Sequence, residues 1–305
     1  MLMARPRVLV VYKKSAYQLY VRERQDPRLI RLLRAGQSDA RDIRHAHAVH
    51  HATLQTVTQT LTRFRVRHAV VYRANLRTTA RYDLVVSVGG DGTLLQASHL
   101  VTDIPLLGVN SDPQRSEAVF CAATRANFAE LLRRALDGRL RHVLLWRLQA
   151  WLNGRRLFPL ALNDVLIAHD DPATMSRYRL TVGARRARPG KGQRRAGEEQ
   201  KSSGLWISTA AGSSSAILAA GGRRLPWTAS RFQYRPRELY RGRLSRYRLT
   251  GGVLPMGRTI SVAWLMREGA IFIDGPHVRY PIRFGDHVRV GLSPRHPLRV
   301  LGLAP

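Results

Sequence analysis

The stretch Asp83–Ala97, DLVVSVGGDGTLLQA, decides how the chain is read. A hydrophobic strand, Leu84–Val88, runs straight into Gly89, Gly90, Asp91, Gly92 and Thr93, and a helix is predicted from Leu94 to about Leu100. Ligands of parallel α/β sheets bind at the carboxyl ends of strands, where such turns sit. The glycines permit unusual φ/ψ values and leave no Cβ in the way. Backbone N–H groups, helped by the helix N-terminus, can then point at phosphate oxygens. An acid among phosphate-binding groups is costly unless it has a task, such as taking a proton from an attacking hydroxyl or helping to hold Mg²⁺. A plain strand–turn–helix with a capping Asp is the bland alternative, and an isolated GxG would favour it. Here the glycines flank an acid directly after a buried strand, which favours the functional reading. The turn is neither a Walker A motif nor a dinucleotide fingerprint, because GxxxxGK[ST] and GxGxxG are both missing.

Outward from this turn the elements alternate. Val8–Tyr12 is a continuous apolar run suited to a strand buried on both faces. In residues 45–64, Ala48, Leu54, Val57, Leu61 and Phe64 mark one face of an amphipathic helix. Strands follow at Ala69–Tyr72 and Pro105–Val109. Strands alternating with helices predict an α/β fold with an N-terminal doubly wound parallel sheet. After about residue 140 the texture changes. HVLLWRLQAWLN, LFPLALNDVLIAH, SRYRLTVG, TISVAWL, AIFIDG and HVRVGLS read as strands split by turns. The expected organisation is an α/β phosphate-binding domain over residues 1–140 and a β-rich, β-sandwich-like domain over 141–290. Residues 291–305 would form a C-terminal segment packing back on the first domain. Residues 184–201, ARRARPGKGQRRAGEEQK, have no large apolar side chain and read as an exposed, mobile basic loop.

Composition narrows the setting. Lys and Arg number 51 against 20 Asp and Glu, a formal charge of +31 that attracts polyanions. Nucleic acid, an anionic membrane surface and phosphate-rich small molecules all qualify; a solvated excess of arginine accounts for most of the charge. The basic loop carries no aromatic residue for base stacking, so specific nucleic-acid binding is not expected. The single cysteine, Cys121, excludes an intramolecular disulfide and a finger-type zinc site, and fits a reducing compartment. The N-terminal run VLVVY is too short for a signal core, and no apolar stretch approaches about 20 residues. A cytoplasmic protein with no membrane partner is expected.

Four further stretches now bear on the family. Gly108–Glu117 reads GVNSDPQRSE, Ala161–Ile167 reads ALNDVLI, Gln200–Ser213 reads QKSSGLWISTAAGS, and Phe272–Gly275 reads FIDG. Together with GGDGT, in this order and spacing over roughly residues 8–300, they resemble the NAD kinase family. The GVNSDPQRSE and KSSGL segments are similar to the mitochondrial-type members. Diacylglycerol and sphingosine kinases and phosphofructokinases share GGDGT, but lipid kinases lack the pair matched here by GVNSDPQRSE and ALNDVLI.

The resemblance implies an enzyme that phosphorylates the 2′-hydroxyl of the adenosine ribose of NAD or NADH, giving NADP(H). Asp91 would be the general base, and Gly89, Gly90, Gly92 and Thr93 would bind phosphates of the donor, ATP or polyphosphate. Mg²⁺ would be held by donor oxygens and water, with no protein metal ligands. NAD would be held by Asp91, Gly92, Asn110, Asn163, Asp164, Ser202, Ser203, Gly204, Gly212 and Ser213. A homo-oligomer, dimer or tetramer, is expected. The family's TGTG or TPTG is Thr209, Ala210, Ala211, Gly212 here, and Ala216 stands where an aromatic often follows, which puts one side-chain contact and one stacking contact in doubt.

Other candidates carry less. His45, His47, His50 and His51 read as a solvated helix face rather than a zinc site, since HExxH is missing. Lys13 and Lys14 end the first strand and either meet donor phosphates or are plain strand-end charges. Trp146 and Trp151 are expected to pack the β domain, and Cys121 to be core. The competing functions are a lipid or other small-molecule kinase built on the same turn, and a non-catalytic NAD(P)- or nucleic-acid-binding protein.

Overall fold

The computed structural model describes residues 6–184, 197–243 and 246–304. The chain divides into two units, Met1–Val143 with Arg299–Ala304, and Leu144–Leu298.

The first unit is built on a parallel sheet. Its strands are β1 (Arg7–Tyr12), β2 (Arg67–Tyr72), β3 (Leu84–Gly89), β4 (Leu106–Asn110), the short β5 (Ala123–Thr124), β6 (His142–Leu145) and, from the far end of the chain, β19 (Leu298–Leu301). The order is β2-β1-β3-β4-β19-β6, with β5 beside β4. Every residue of β3 and β4 is buried, which explains why their sequences are apolar apart from Ser87 and Asn110. Four α-helices accompany the sheet: α1 (Pro27–Arg34), α2 (Ser38–Arg63), α3 (Asp91–Ser98) and α4 (Phe128–Leu136). Val57 and Leu61 of α2 and Phe128 and Leu132 of α4 join Val8, Val10, Val86, Val88, Leu107 and Val109 in one core. A π-helical turn, Tyr17–Glu23, follows β1.

Helix α2 corrects two expectations. It runs over 26 residues from Ser38, well before residue 45. Its buried stripe is His47, His50, Thr53, Val57, Thr60 and Leu61, whereas Ala48 is exposed. The histidine face is therefore not solvated as a whole. His47 Nδ1 lies 2.8 Å from Ser15 Oγ, and His50 Nε2 lies 2.7 Å from the Lys13 carbonyl oxygen. Only His45 and His51 stay exposed.

Among the described residues the second unit's strands are antiparallel, and its helical elements are α5 (Ala216–Ala219) and a 3-10 turn at Ala211–Ser214. Its strands are β7 (Leu148–Leu152), β8 (Arg155–Arg156), β9 (Asp164–Ala168), β10 (Ser176–Ala184), β11 (Glu198–Ser202), β12 (Leu205–Thr209), β13 (Arg231–Pro236), β14 (Gly252–Pro255), β15 (Arg258–Trp264), β16 (Gly269–Ile273), β17 (Val278–Ile282) and β18 (His287–Leu292). They form two six-stranded sheets, β11-β10-β15-β18-β7-β8 and β14-β13-β12-β9-β16-β17. Tyr178, Leu180, Trp264 and Val290 from the first sheet share one core with Val165, Ile167, Ile207, Phe232 and Ile271 from the second, as in a sandwich. Trp146 packs against that core, and the Arg289 guanidinium covers Trp151 at 4.4 Å.

The basic segment is shorter than 184–201. Glu198–Ser202 is strand β11, paired with β10 through Leu180↔Glu198 to Ser176↔Ser202. Residues 185–196, where the rest of the basic loop falls, lie outside the described residues. Among the described residues no helix is long and apolar enough to cross a membrane.

Candidate active site

In the first unit, β3 delivers the turn and α3 begins at Asp91, three residues earlier than its apolar residues suggest. Gly90 is the N-cap and has no side chain to cap the helix, which leaves opening N–H groups for a ligand. The glycines are needed for space rather than for backbone conformation. None of Gly89, Gly90 and Gly92 has a positive φ. A Cβ on Gly89 would lie 2.2 Å from Thr93 Oγ1, and one on Gly90 would lie 3.0 Å from Ser116 Oγ. Thr93 is buried against this bare backbone, with no hydrogen-bond partner for Oγ1 among the described residues.

Asp91 is held by the loop that follows β4. Its Oδ2 accepts from the Val119 N–H and its Oδ1 from the Phe120 N–H, both at 2.9 Å. Burial raises its pKa most, the two N–H bonds pull it back down, and the Glu117 charge adds a further rise. The result is an acid more basic than in water that still has two donors favouring its anion. Asn110 lies beside the turn, opposite Gly89 in the β3–β4 ladder. Its amide is committed to its own loop: Oδ1 accepts from the Asp112 N–H at 3.0 Å and Nδ2 donates to the Ser116 carbonyl at 2.7 Å. Cys121 is packed under β4 near Gly108, and burial, followed by the Asp91 charge, pushes its thiol up to about 12. It is no nucleophile.

No three His, Cys, Asp or Glu side chains cluster to hold a metal ion among the described residues. The donor set at the turn is the single carboxylate of Asp91. It fits Mg²⁺ that arrives on phosphate oxygens and keeps its water, and it does not fit a dedicated protein cage.

In the second unit a polar cluster forms where β9 begins and β12 ends. Asp274, in the turn after β16, has φ of 49° and takes three backbone donors: Leu162 N at 2.8 Å, Asn163 N at 2.7 Å and Asp164 N at 3.0 Å. The Asn163 carbonyl accepts from Thr209 N at 2.9 Å, and Thr209 Oγ1 donates to the Leu162 carbonyl at 2.6 Å. A Cβ on Gly212 would lie 2.3 Å from that same Asn163 oxygen. The backbone is thus clamped from three sides while the Asn163 side-chain Oδ1 is buried without a partner among the described residues. Asp164 is 6% exposed and accepts from Ser215 Oγ at 3.3 Å. Burial first, then the Asp274 charge, pushes its pKa up to about 7. Ser213 braces the chain through Leu225, whose N–H donates to its Oγ at 2.8 Å.

The structure brings Asn163, Asp164, Gly212 and Ser213 together but not Ser202, Ser203 and Gly204. Gly204 precedes β12 and packs on Ala168, while the polar cluster sits at the other end of that strand, where Ser208 pairs with Asp164. The two ends are separated by roughly 13 Å, four residues at the strand rise. Ser202 is structural: its Oγ bonds the Tyr178 hydroxyl at 2.8 Å and the Gly204 carbonyl at 2.9 Å. Asp274 and Ser215 carry the geometry, yet neither stood out as a site residue in the sequence; the Asp-Gly pair in FIDG was the available signal. Ala210 and Ala211 are buried.

A glycine turn at the carboxyl edge of a parallel sheet, with a carboxylate on the first helical residue, is an arrangement suited to a phosphotransferase that acts on an alcohol group. Comparison with known proteins supplies the family. Residues 7–140 match the ATP-NAD kinase N-terminal domain. The chain is 41% identical to "Probable NADH kinase" of Oryza sativa subsp. japonica, over 68% of this chain and 67% of that one. It is 34% identical to "NADH kinase" of Arabidopsis thaliana, over 68% and 69%. Its fold is shared with an NAD kinase from Archaeoglobus fulgidus in complex with ATP, at a TM-score of 0.64 and 19% identity, over 96% of this chain and 92% of that one. The chain belongs to the NAD kinase family.

Proposed function

We propose that this enzyme transfers the terminal phosphoryl group of ATP or polyphosphate to the 2′-hydroxyl of the adenosine ribose of NAD or NADH, with Asp91 as the general base. One observation carries the reading: the carboxylate of Asp91 opens α3 beside backbone left bare by Gly89 and Gly90, and is pinned there by the Val119 and Phe120 N–H groups. A ribose hydroxyl is a poor nucleophile at neutral pH, and a carboxylate of raised basicity within hydrogen-bond reach can take its proton as the bond to phosphorus forms. Mg²⁺, when bound, neutralises phosphate charge. The helix N-terminus and the turn position the phosphates.

On the acceptor side, the unpartnered Asn163 Oδ1 suits a donor such as a purine amino group, and Asp164 suits ribose hydroxyls. Both groups are polar and rigidly seated, which speaks against the apolar groove that a lipid acceptor needs. Ser203 and Gly204, near the other end of β12, are left to a different part of the dinucleotide, while Ser202 is spent within the fold. The names of the plant relatives and the ATP held by the archaeal kinase support the choice of substrates. A reducing, aqueous compartment such as the cytoplasm goes with this reading, given the lone, inert Cys121.

The test is direct. The purified full chain is incubated with Mg²⁺, ATP or polyphosphate, and NAD or NADH, and NADP(H) is detected. Turnover of a lipid acceptor with no NADP(H) formed would sink the proposal.

A further inference from the structure

Register fixes which side chains cross the outer face of the sheet β11-β10-β15-β18-β7-β8. Leu180 pairs with Val262 and Val262 with Val288, and all three belong to the sandwich core. The residues next to them along each strand point the other way. One outward row follows the pairs Thr181↔Ser261, Ser261↔Arg289, Arg289↔Trp151 and Trp151↔Arg156. It crosses β10, β15, β18, β7 and β8 in turn, roughly 19 Å at the usual strand spacing. It contains Arg289, Trp151 and Arg156 side by side, and no carboxylate.

Cations and rings alternate at this end of the sheet. The Arg289 guanidinium lies 4.4 Å from the centre of the Trp151 ring, and that of Arg156 lies 4.8 Å from the centre of the Phe158 ring. The charge of Arg289 is therefore met by a π face. Its Nε is withdrawn from water with no partner among the described residues. Arg156 donates from Nε to the Gln149 amide oxygen, a neutral group. Trp151 is partly buried and Phe158 is 60% exposed, so ring surface stays open to a ligand.

Further cations stand on the same face, where Arg177, Arg179 and His287 are exposed. The nearby acids are occupied. Glu199 is paired with Arg179 at 3.8 Å, and Asp286 accepts from the Asn153 amide and from the Arg283 N–H, both at 2.7 Å. Charge and shape together choose the occupant. A second copy of the chain would bring the same cations and the same net charge of +31, so the face repels it. An anionic membrane would meet the charge, but Thr181 and Ser261 make half of the row polar, with nothing to insert among acyl chains. A nucleic-acid duplex shows its phosphates and hides the flat faces of its bases. A single strand offers both, phosphates to the guanidinium groups and bases to the rings. The basic segment 184–201 has the charge without the rings, and this sheet face has both.

We infer that the outer face of this sheet binds single-stranded nucleic acid without sequence preference, with bases stacked on Trp151 and Phe158 and phosphates on Arg289 and Arg156. The chemistry is common to RNA and DNA: a flexible chain of phosphates with unpaired, planar bases. Stacking is tolerant of sequence because every base has a π face. The surface shares no residue with the glycine turn or with the Asn163–Asp164 cluster, and it does not rest on the kinase reading.

The experiment titrates the full chain into fluorescently labelled oligothymidylate and oligouridylate over a range of salt, with a DNA duplex and inorganic polyphosphate as competitors. Both single strands are expected to bind more tightly than the duplex. They should also quench tryptophan emission, which polyphosphate should leave unchanged. Phe158→Ala, which removes an exposed ring, is expected to weaken strand binding about 5- to 100-fold, the worth of one stacked base. Trp151→Leu should do the same and reduce the quench. Arg289→Gln should make the slope of log affinity against log salt shallower by about 0.7, one phosphate contact to a single strand. Arg28→Gln removes an exposed cation from α1 and is the control, expected to bind as wild type does. Preference for one of the two strands would assign the face to RNA or to DNA. Wild-type affinity in both Phe158→Ala and Trp151→Leu overturns the inference. So does equal binding of the duplex, or an equal loss in Arg28→Gln and Arg289→Gln, since the field of the whole protein would then account for the binding.

Discussion

Asp91 and Asp164 are the same residue in two different settings. Both are largely withdrawn from water, and burial is the first cause of a raised pKa in each. Asp91 then meets two backbone N–H donors, which favour its charged form. Asp164 meets the carboxylate of Asp274 and one long bond from Ser215, so its pKa climbs to about 7. The first arrangement keeps an anion ready to accept a proton. The second keeps an acid poised between donor and acceptor, suited to holding a hydroxyl rather than deprotonating it. Environment, not residue type, separates the two roles proposed for them.

The comparison breaks first at Asp91. Asp91→Asn should lower NADP(H) formation about 10²–10⁴-fold. The substitution also replaces one of two acceptors with a donor facing an N–H, so the melting temperature is expected to fall. NAD binding measured by calorimetry should nevertheless persist, which separates lost chemistry from lost fold. Turnover close to wild type would remove Asp91 from its role.

Asp274→Ala is next. It strips the acceptor from three backbone N–H groups, each costing on the order of 1–3 kcal/mol when left buried and unpaired. Thermal melts should show a marked loss of stability, and KM for NAD should rise with the donor KM unchanged. An unaltered melt would mean that the Leu162–Asp164 loop holds itself.

The titration of Asp164 sharpens the contrast. Its folded pKa, about 7, lies above the ordinary carboxylate value of 3.8. Raised in this sense, the group favours the fold at low pH, and that contribution is lost as pH climbs from the lower value to the upper. Asp164→Asn removes the effect, so its melting temperature relative to wild type should be higher at about pH 8 than at about pH 4. Parallel curves for the two proteins would show that Asp164 ionises normally.

Asn163→Ala should raise KM for NAD by about 2- to 10-fold, one neutral hydrogen bond, and leave the donor KM alone. Steady-state kinetics with each substrate varied would expose a failure as equal shifts in both. The smallest effect is expected from deleting Arg185–Arg195. Its sequence offers no large apolar side chain to anchor it, so rates should stay within about twofold. A large rise in donor KM would bring it into the site.

The sequence made the first unit plain where one residue pattern had one cause. The runs at Val8–Tyr12 and Leu84–Val88 are apolar but for a buried Ser87 because both faces of those strands are covered. Helix α2 misled because its inward stripe is made of histidine and threonine, which bond to Ser15, Lys13 and Ser111 instead of packing as hydrocarbon. The glycines of the turn were legible as a site, though for space rather than for φ. In the second unit, β9 lies between β12 and β16, strands distant in the chain, and no local pattern announces that order. The clamp on Asn163 comes from Asp274, 111 residues away, and the placement of Ser202–Gly204 at the opposite end of β12 depends on the same pairing.

The bonds from Val119 and Phe120 to Asp91 have a practical consequence. Two amide protons touch the oxygens proposed to receive the substrate's proton, one on each. Their nitrogen and proton chemical shifts are therefore a built-in indicator of that carboxylate's charge. Followed by NMR through an acid titration, the two resonances would move together and report its ionisation without a label, a substrate or a mutation. The same pair, watched while NAD is added, would register the arrival of the acceptor before any phosphate has moved.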